Sequence, residues 1–564
     1  MNLSALDIAI IVLYLVAALG VGLYQALKIR TSGDYYAGGR KFNKFYLMMH
    51  ALGTASHADE PVSVIGGAYE KGLSGIWYTY LYLPLTPIFW LLAPYIRRSR
   101  FVTMADFFRA RYDEGMAVLY SVVGVLKMAV AMSVVLKGTA KIITSLTGGG
   151  AIDERWAILA MTAVFVMYGF AGGLRATVVT ETIQGPLIVL MSLLLLPFGL
   201  HAVGGFSGLH RSLESSMFSL TATGKEFTWQ WILAASITAL VGWVAQPGIV
   251  AAVGSGKSEL EGRIGYTYGT MIKRFCAMGW VFTGVVLAGL VAQKQVSEGQ
   301  VSDLAANREH AFGIAMQKLL PVGLVGIMFA AIFAAQMATL SAQMVNSSAL
   351  ASRNLYQGAR PQASDREVLW FGRICGLFLV SIGVLLAFQL GKVATALTML
   401  LGFQSIMGVI VWAGVLWRRA NVAGAWASFG VMFTCWALLG PIGMLARRPG
   451  MPQWIGQYGS ETELAMLMVW ALPAGVLALI VVSRLSSPQP RKQIDDFFTL
   501  LKTPVGQEQK LIDAGVPVVY AGNSVANPLE TNHPMLVHWG GFALAAVICG
   551  LILGLLKILA TIGS

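Results

Sequence analysis

The chain is expected to be an all-α integral membrane protein of about fourteen transmembrane helices, with a core of two five-helix groups, each opened by a helix broken at its middle. Composition is the first reason: of 564 residues 56% are hydrophobic and only 12% charged, the mean hydropathy is +0.67, and a soluble domain carries about a quarter charged residues. The second is that apolar runs long enough to cross about 30 Å of hydrocarbon recur along nearly the whole length, which excludes a barrel of short alternating strands. The third is that two of these runs are interrupted by glycine, proline and polar residues at corresponding places in two halves.

The first run, 6–27, follows MNLSALD, which lacks a basic n-region, and it is too long for a secretory h-region, so it reads as a mature span within a unit 1–30. Spans follow at 44–69, 75–97, 116–145, 156–173 and 176–203, the first five-helix group (44–203). The second group (229–417) holds 229–253, 274–294, 317–350, 368–389 and 395–417. A peripheral pair at 422–445 and 463–483 (unit 422–483) comes next, then a polar segment 484–535 and a last span 536–560.

If the N-terminus lies outside, the cytoplasmic loops are 28–44, 97–115, 254–274, 351–373, 418–419 and 484–535, and they hold most of the Lys and Arg behind the net charge of +13. The basic excess therefore reads as topology in the cell membrane, with no nucleic-acid partner implied. Within RLSSPQPRKQIDDFFTLLKTPVGQEQKLIDAG (484–515), IDDFFTLL has the pattern of a short amphipathic helix on the membrane surface. The segment reads as a tether for the last span or as a regulatory element. GSGKS (254–258) is no phosphate-binding loop, because Ala251 stands where a glycine is needed and no strand precedes it. Cys276, Cys375, Cys435 and Cys549 are scattered singly in apolar stretches, as small packed residues.

The interrupted runs carry the chemistry. HALGTASHADEPVSVIGG (50–67) places His50, His57, Asp59, Glu60 and Pro61 inside an apolar span, and an ionisable group at mid-bilayer costs roughly 2.5 to 3.5 kcal/mol. Span 229–253 holds Trp243, Gln246, Pro247 and Gly248. Unwound backbone at membrane depth frees carbonyls for a cation and N–H groups for a polar solute, the arrangement of an inverted-repeat transporter.

Several stretches resemble the sodium/solute symporter family: SGDYYAGGRKFN (32–43), FVTMADFFRARY (101–112), GGLRATVVTETIQ (172–184), VGWVAQPGIV (241–250), MATLSAQMVNSSALASRNLY (337–356) and VWAGVLWRRANVAGAW (411–426), in consistent order from about residue 5 to 483. The resemblance implies a LeuT-like core of five plus five helices, N-terminus outside, moving a small solute by alternating access with a sodium ion and no other cofactor. Carried over by position, it implies a sodium site from Gly53 and Ser56 on the first broken helix and Ala335, Ala338 and Thr339 on the long helix 317–350, where Ala338 departs from the usual pair of adjacent hydroxyls. A second ion or proton site corresponds to Glu181 and Ser341, with Ala342 lacking a further hydroxyl.

Proton coupling is the alternative, since Glu181, Glu60, Asp59 and His57 are intramembrane titratable groups. Glu181 also reads as a helix-terminal carboxylate at the water boundary near Arg175. Where sugar-carrying relatives place amides, the chain has Glu60, Ala245 and Leu397. His57, Asp59, Glu60, Trp243 and Gln246 are the expected solute contacts, suited to a sugar or polyol, an amino acid or an amine. Asp59 could instead pair with Lys127, Lys137 or Lys141. Trp77, Tyr78 and Tyr80 in WYTYLY are gate candidates or members of an interface belt. Two further classes compete: a membrane enzyme with a divalent metal on His57, Asp59 and Glu60, which lacks further convergent ligands, and a transporter-like sensor, which lacks an appended domain. Oligomeric state is not legible.

Overall fold

The computed structural model describes residues 4–564 except 30, 147–152, 225, 390–392, 441, 442, 444–449, 453, 456 and 458–460. The chain is helical along almost all of this length. α1 (Ala5–Ala26) starts at a capping box in which the Ser4 hydroxyl accepts from the Asp7 N–H and Asp7 accepts from the Ser4 N–H. Asp7 is buried and also accepts from the amides of Gly323 and Gly326, at 2.9 and 2.7 Å, which ties the start of the chain to a distant helix.

The first interrupted run is two helices, α2 (Lys44–Ala55) and α3 (Asp59–Lys71), joined through Ser56, whose φ of −101° and ψ of 76° are not helical. Pro61 falls in the first turn of α3, where its missing N–H has no intrahelical acceptor to lose. The expected continuous span 75–97 differs: residues Gly72–Ile76 and Trp77–Tyr80 form short turns of helix before α4 (Thr86–Arg98) begins.

α5 (Glu114–Leu146) and α6 (Glu154–Val203) are long. α6 bends at Gly173, which has φ +55°; a Cβ there would lie 2.5 Å from the Tyr35 ring, so glycine is required by both conformation and space. The second interrupted run is α7 (Trp229–Trp243) and α8 (Ile249–Gly254), separated by the stretch 244–248. α9 (Glu259–Ala292) starts fifteen residues before the expected span at 274, so most of the expected loop 254–274 is helix. Charges at Glu259, Glu261, Arg263, Lys273 and Arg274 lower the local hydropathy, but all except Glu261 are buried, Glu259 beside Arg98, Arg263 beside Glu530, Lys273 on Glu60 and Arg274 on Thr79.

α10 (Leu324–Ala349), α11 (Asp365–Gln389), α12 (Val393–Leu416), α13 (Val422–Leu439) and α14 (Glu461–Leu485) complete the bundle. α15 (Arg491–Lys502) lies in the polar segment and α16 (Gly541–Thr561) ends it. Among the described residues, nine helices are individually long and apolar enough to cross a membrane, and Trp229–Trp243 and Leu400–Leu416 are shorter apolar ones. A count of fourteen is finer than helix length alone supports, because broken and bent helices do not qualify singly.

The apolar windows of α9 and of Leu324–Ala359 are 83% buried, those of α1 and of the last span 22%. α9 and α10 are therefore the interior of the bundle, and α1 and α16 its periphery. α15 corrects an expectation: Ile494, Phe497, Leu500 and Leu501 are buried against the protein, with Phe497 edge-on to Phe107 at 5.4 Å, so its apolar face does not lie on lipid.

Candidate functional site

The two breaks open on one cavity of about 270 Å³. α5 can approach the first break because Gly138 has no side chain: a Cβ there would fall 2.8 Å from the Asp59 backbone. The second break is held by Tyr120, whose hydroxyl donates to the freed Ala245 carbonyl at 2.8 Å. Trp243 stacks on Phe89 with centroids 4.0 Å apart, and its indole N–H donates to the Tyr266 hydroxyl at 3.0 Å. This fixes one wall as a flat aromatic surface.

Other parts of the lining are charged. Glu60 accepts from Lys273 Nζ at 2.6 Å. Asp59 is fully buried, 3.7 Å from His57 Nδ1, and neither of its carboxylate oxygens has a hydrogen-bond partner. Arg274 donates to the carbonyl and hydroxyl of Thr79 at 2.8 and 2.9 Å. Across the cavity, Lys127 Nζ donates to Gln404 Oε1.

Beside the cavity, the first break meets α10. Thr339 Oγ1 donates to the Gly53 carbonyl at 3.4 Å. Ser56, on the unwound joint, is fully buried and its hydroxyl has no partner. Ala335 and Ala338 are buried on the same helix as Thr339. Carbonyl and hydroxyl oxygens form a donor set for a hard cation and offer nothing to a soft metal. Directly behind Gly53 lies Glu181, hydrogen-bonded to His50; a Cβ at Gly53 would sit 3.1 Å from the Glu181 side chain.

Comparison with known proteins now decides the family. The profile described as the Sodium:solute symporter family matches residues 35–431. The chain belongs to the sodium:solute symporter family. Similar curated proteins include a sodium/pantothenate symporter of Haemophilus influenzae, 28% identical over 77% of this chain and 90% of its own length. Another is a sodium/myo-inositol cotransporter 2 of Sus scrofa, 26% identical over 76% of this chain and 68% of its own. A solved substrate-bound, outward-open Na⁺-coupled sialic acid symporter has the same fold, with a TM-score of 0.71 at 18% identity over 86% of this chain and 99% of that one. The protein is thus a multi-pass membrane transporter, not an enzyme.

In this symporter the expected solute residues His57, Asp59, Glu60, Trp243 and Gln246 all line the cavity. Of the gate candidates only Tyr78 does; Trp77 donates to the Leu220 carbonyl at 2.7 Å, and Tyr80 is buried with its hydroxyl on the Arg274 carbonyl. The Ser341 hydroxyl donates to the Met337 and Ala338 carbonyls of its own helix. Glu181 is not at a water boundary, being fully buried in mid-helix against His50. The lysines offered to Asp59 bind elsewhere, Lys127 to Gln404, Lys137 to Glu154 at 2.9 Å, and Lys141 near Glu309 at 3.8 Å. Ala245 turns its carbonyl to Tyr120, and the Leu397 side chain lies outside the described set.

The sequence marks His50 as an intramembrane histidine without giving it a role, and sequence reasoning passed over Lys273, Arg274 and Gln404. Lys273 and Arg274 were hidden by assignment to a loop. For His50 the signal was a second histidine in the same apolar span, six residues before the break at Ser56.

The family's characteristic stretches outside the cavity build its basic face. Arg40 donates to the Phe101 carbonyl at 3.0 Å, Arg111 to the Gly414 carbonyl at 2.8 Å, and Asn421 to Ser486 Oγ at 2.8 Å. These are ties between helix ends, not solute contacts.

Proposed function

We propose that this symporter carries a small polar organic solute together with sodium through the cavity between the two breaks, by alternating access. The relatives' names, pantothenate and myo-inositol with sodium, support that class. The single observation that carries the reading is the joint between the first break and α10, where the Gly53 carbonyl, the Thr339 hydroxyl and the unpartnered Ser56 hydroxyl offer oxygens beside a charged cavity. Ala335 and Ala338 would add backbone oxygens from α10. An ion that orders this joint would favour the solute-competent state, and solute and ion would tighten each other reciprocally.

The two five-helix groups 44–203 and 229–417 form the transport core in this reading, flanked by units 1–30, 422–483 and 536–560. The N-terminus is outside and segment 484–535 cytoplasmic, because that orientation puts the basic face inside. Proton coupling is the second reading, favoured by one observation: the buried His50–Glu181 pair packed against Gly53.

Thermal stability of the purified protein in sodium and in potassium at equal ionic strength separates them. Sodium should raise the melting temperature and Thr339→Ala should weaken that response about tenfold in sodium concentration, the loss of one ligating hydroxyl. A response equal in both salts but dependent on pH, and removed by Glu181→Gln, would select the proton.

A further inference from the structure

The cavity holds an unbalanced cation. Its charged lining is Asp59 and Glu60 on one side of the ledger and Lys127, Lys273 and Arg274 on the other, with His57 beside Asp59. Lys273 is matched by Glu60 at 2.6 Å. Asp59 lies at the first break, 3.7 Å from His57 Nδ1 and on the same helix as Glu60, with neither carboxylate oxygen hydrogen-bonded. Lys127 stands apart on α5, and among the described residues no carboxylate lies within ion-pair distance of it. Its one hydrogen bond is to a neutral amide oxygen, Gln404 Oε1 on α12.

An intramembrane lysine without a counterion is costly, and such residues mark substrate or ion pathways. Gln404 points the same way. It is only 6% exposed, it lines the cavity, and while its oxygen accepts the hydrogen bond from Lys127 its Nε2 is buried without any partner. A buried amide N–H left unpaired keeps its desolvation cost uncompensated. Lys127 Nζ and Gln404 Nε2 are therefore two adjacent donors with spare capacity, one charged and one neutral. A carboxylate, with two acceptor oxygens and one negative charge, satisfies both and balances the cavity. An amine would place a second cation beside Lys127. A neutral sugar would leave the charge uncompensated.

The rest of the lining shows what the acid would carry. Gln246, Gln343 and Asn346 offer neutral amides, and the Gln343 oxygen is buried without a partner. Trp243, stacked on Phe89, supplies a flat apolar wall. Amides beside an aromatic face suit hydroxyl or amide groups on a short carbon skeleton.

We propose that Lys127 and Gln404 form a carboxylate cradle, so that the solute of this symporter is a small hydroxylated organic acid rather than a neutral sugar, a polyol or an amine. This rests on the symport reading, and sodium is placed elsewhere, at Thr339.

The test uses the full-length purified protein in sodium, with acids and their neutral counterparts as probes: gluconate against gluconamide, pantothenate against panthenol, and N-acetylneuraminate against its methyl ester, with glucosamine as the amine. Thermal shift against probe concentration gives each apparent Kd. At least one acid should bind about 30-fold or more tighter than its neutral partner, since loss of one member of a buried charge pair costs that much. Lys127→Gln should erase the difference. Should that variant fold poorly, Gln404→Glu offers a second route: it supplies Lys127 with a carboxylate from the protein itself, and acids should lose their advantage while the protein stays folded.

Equal binding of acid and neutral partner, preference for glucosamine, binding of none of the acids, or unchanged acid binding in both variants would overturn the cradle. The sodium-only shift is read in the same samples. If it persists and depends on Thr339 while no acid binds, the cradle alone has failed; if sodium has no effect, the symport reading has failed.

Discussion

Lys273 and Glu60 meet 2.6 Å apart in the bundle interior, where removing one partner leaves a bare charge. Lys273→Met should therefore destabilise the folded protein by about 3–5 kcal/mol, and adding Glu60→Gln should restore most of that loss, because the orphaned carboxylate is then gone. Thermal denaturation of the two variants in detergent would show this. Equal stability of single and double variants would mean that Glu60 finds another partner, with Arg274 the nearest candidate by charge. The pair also explains how α3 tolerates a carboxylate: the counterion comes from α9, 213 positions along the chain.

At the scale of helices, what could be read from sequence follows a physical divide. Breaks were legible because Pro61, Pro247 and the flanking glycines cannot sit quietly in an uninterrupted helix. Partners across the bundle were not legible, since hydropathy reports where a residue prefers to be and not which distant charge neutralises it. Thus the start of α9 was read as loop, and Lys273 with it. The amphipathic pattern of α15 was visible, yet the pattern does not distinguish a lipid surface from the Phe107 side of the protein.

The segment after α15 is similar. Glu530, outside the membrane spans, accepts from the Leu260 N–H at 2.8 Å and lies 3.2 Å from Arg263 Nε. Burial, and then the neighbouring Glu259, push its carboxyl up to about 7, with Arg263 and Arg98 opposing. Its pKa is thus higher docked than released, where it returns to about the ordinary 4.5. The docked state binds more protons between those values, so docking is strongest below about 4.5 and weakens as pH rises toward 7. Hydrogen exchange in 520–532, corrected for intrinsic rates, should show greater protection at low pH, and Glu530→Gln should flatten the trend. Protection that rises with pH would assign control of docking to another group.

For the whole molecule, the same segment is a strap across the basic face. The Tyr520 N–H donates to the Arg100 carbonyl, Asn523 to the Gly39 carbonyl, and the Val525 N–H to the Lys257 carbonyl, at 3.2, 3.3 and 2.9 Å. Arg100 is fully buried under it, paired with Glu508 at 3.1 Å, and Arg97 donates to Ser524 at 2.8 Å. The strap therefore joins the approach to α2, the end of α4 and the turn between α8 and α9. Beneath it Phe42 and Gly256 pair as a single parallel bridge, so both broken helices are fastened at one point on this face. In the alternating-access reading, opening the cavity toward that face would part α2 and α8 from their neighbours, and the strap's hydrogen bonds oppose that separation. Residues joined by a backbone hydrogen bond are close enough for a disulfide, so cysteines at Lys257 and Val525 should crosslink under mild oxidation. The crosslinked protein should keep the sodium-dependent thermal shift expected of the proposed joint at Thr339, which the crosslink does not touch, yet lose nearly all solute uptake into proteoliposomes until reduced. Uptake that survives complete crosslinking would show that the strap travels with the helices it fastens, and the barrier on this face would then have to lie deeper, at the Phe42–Gly256 bridge itself.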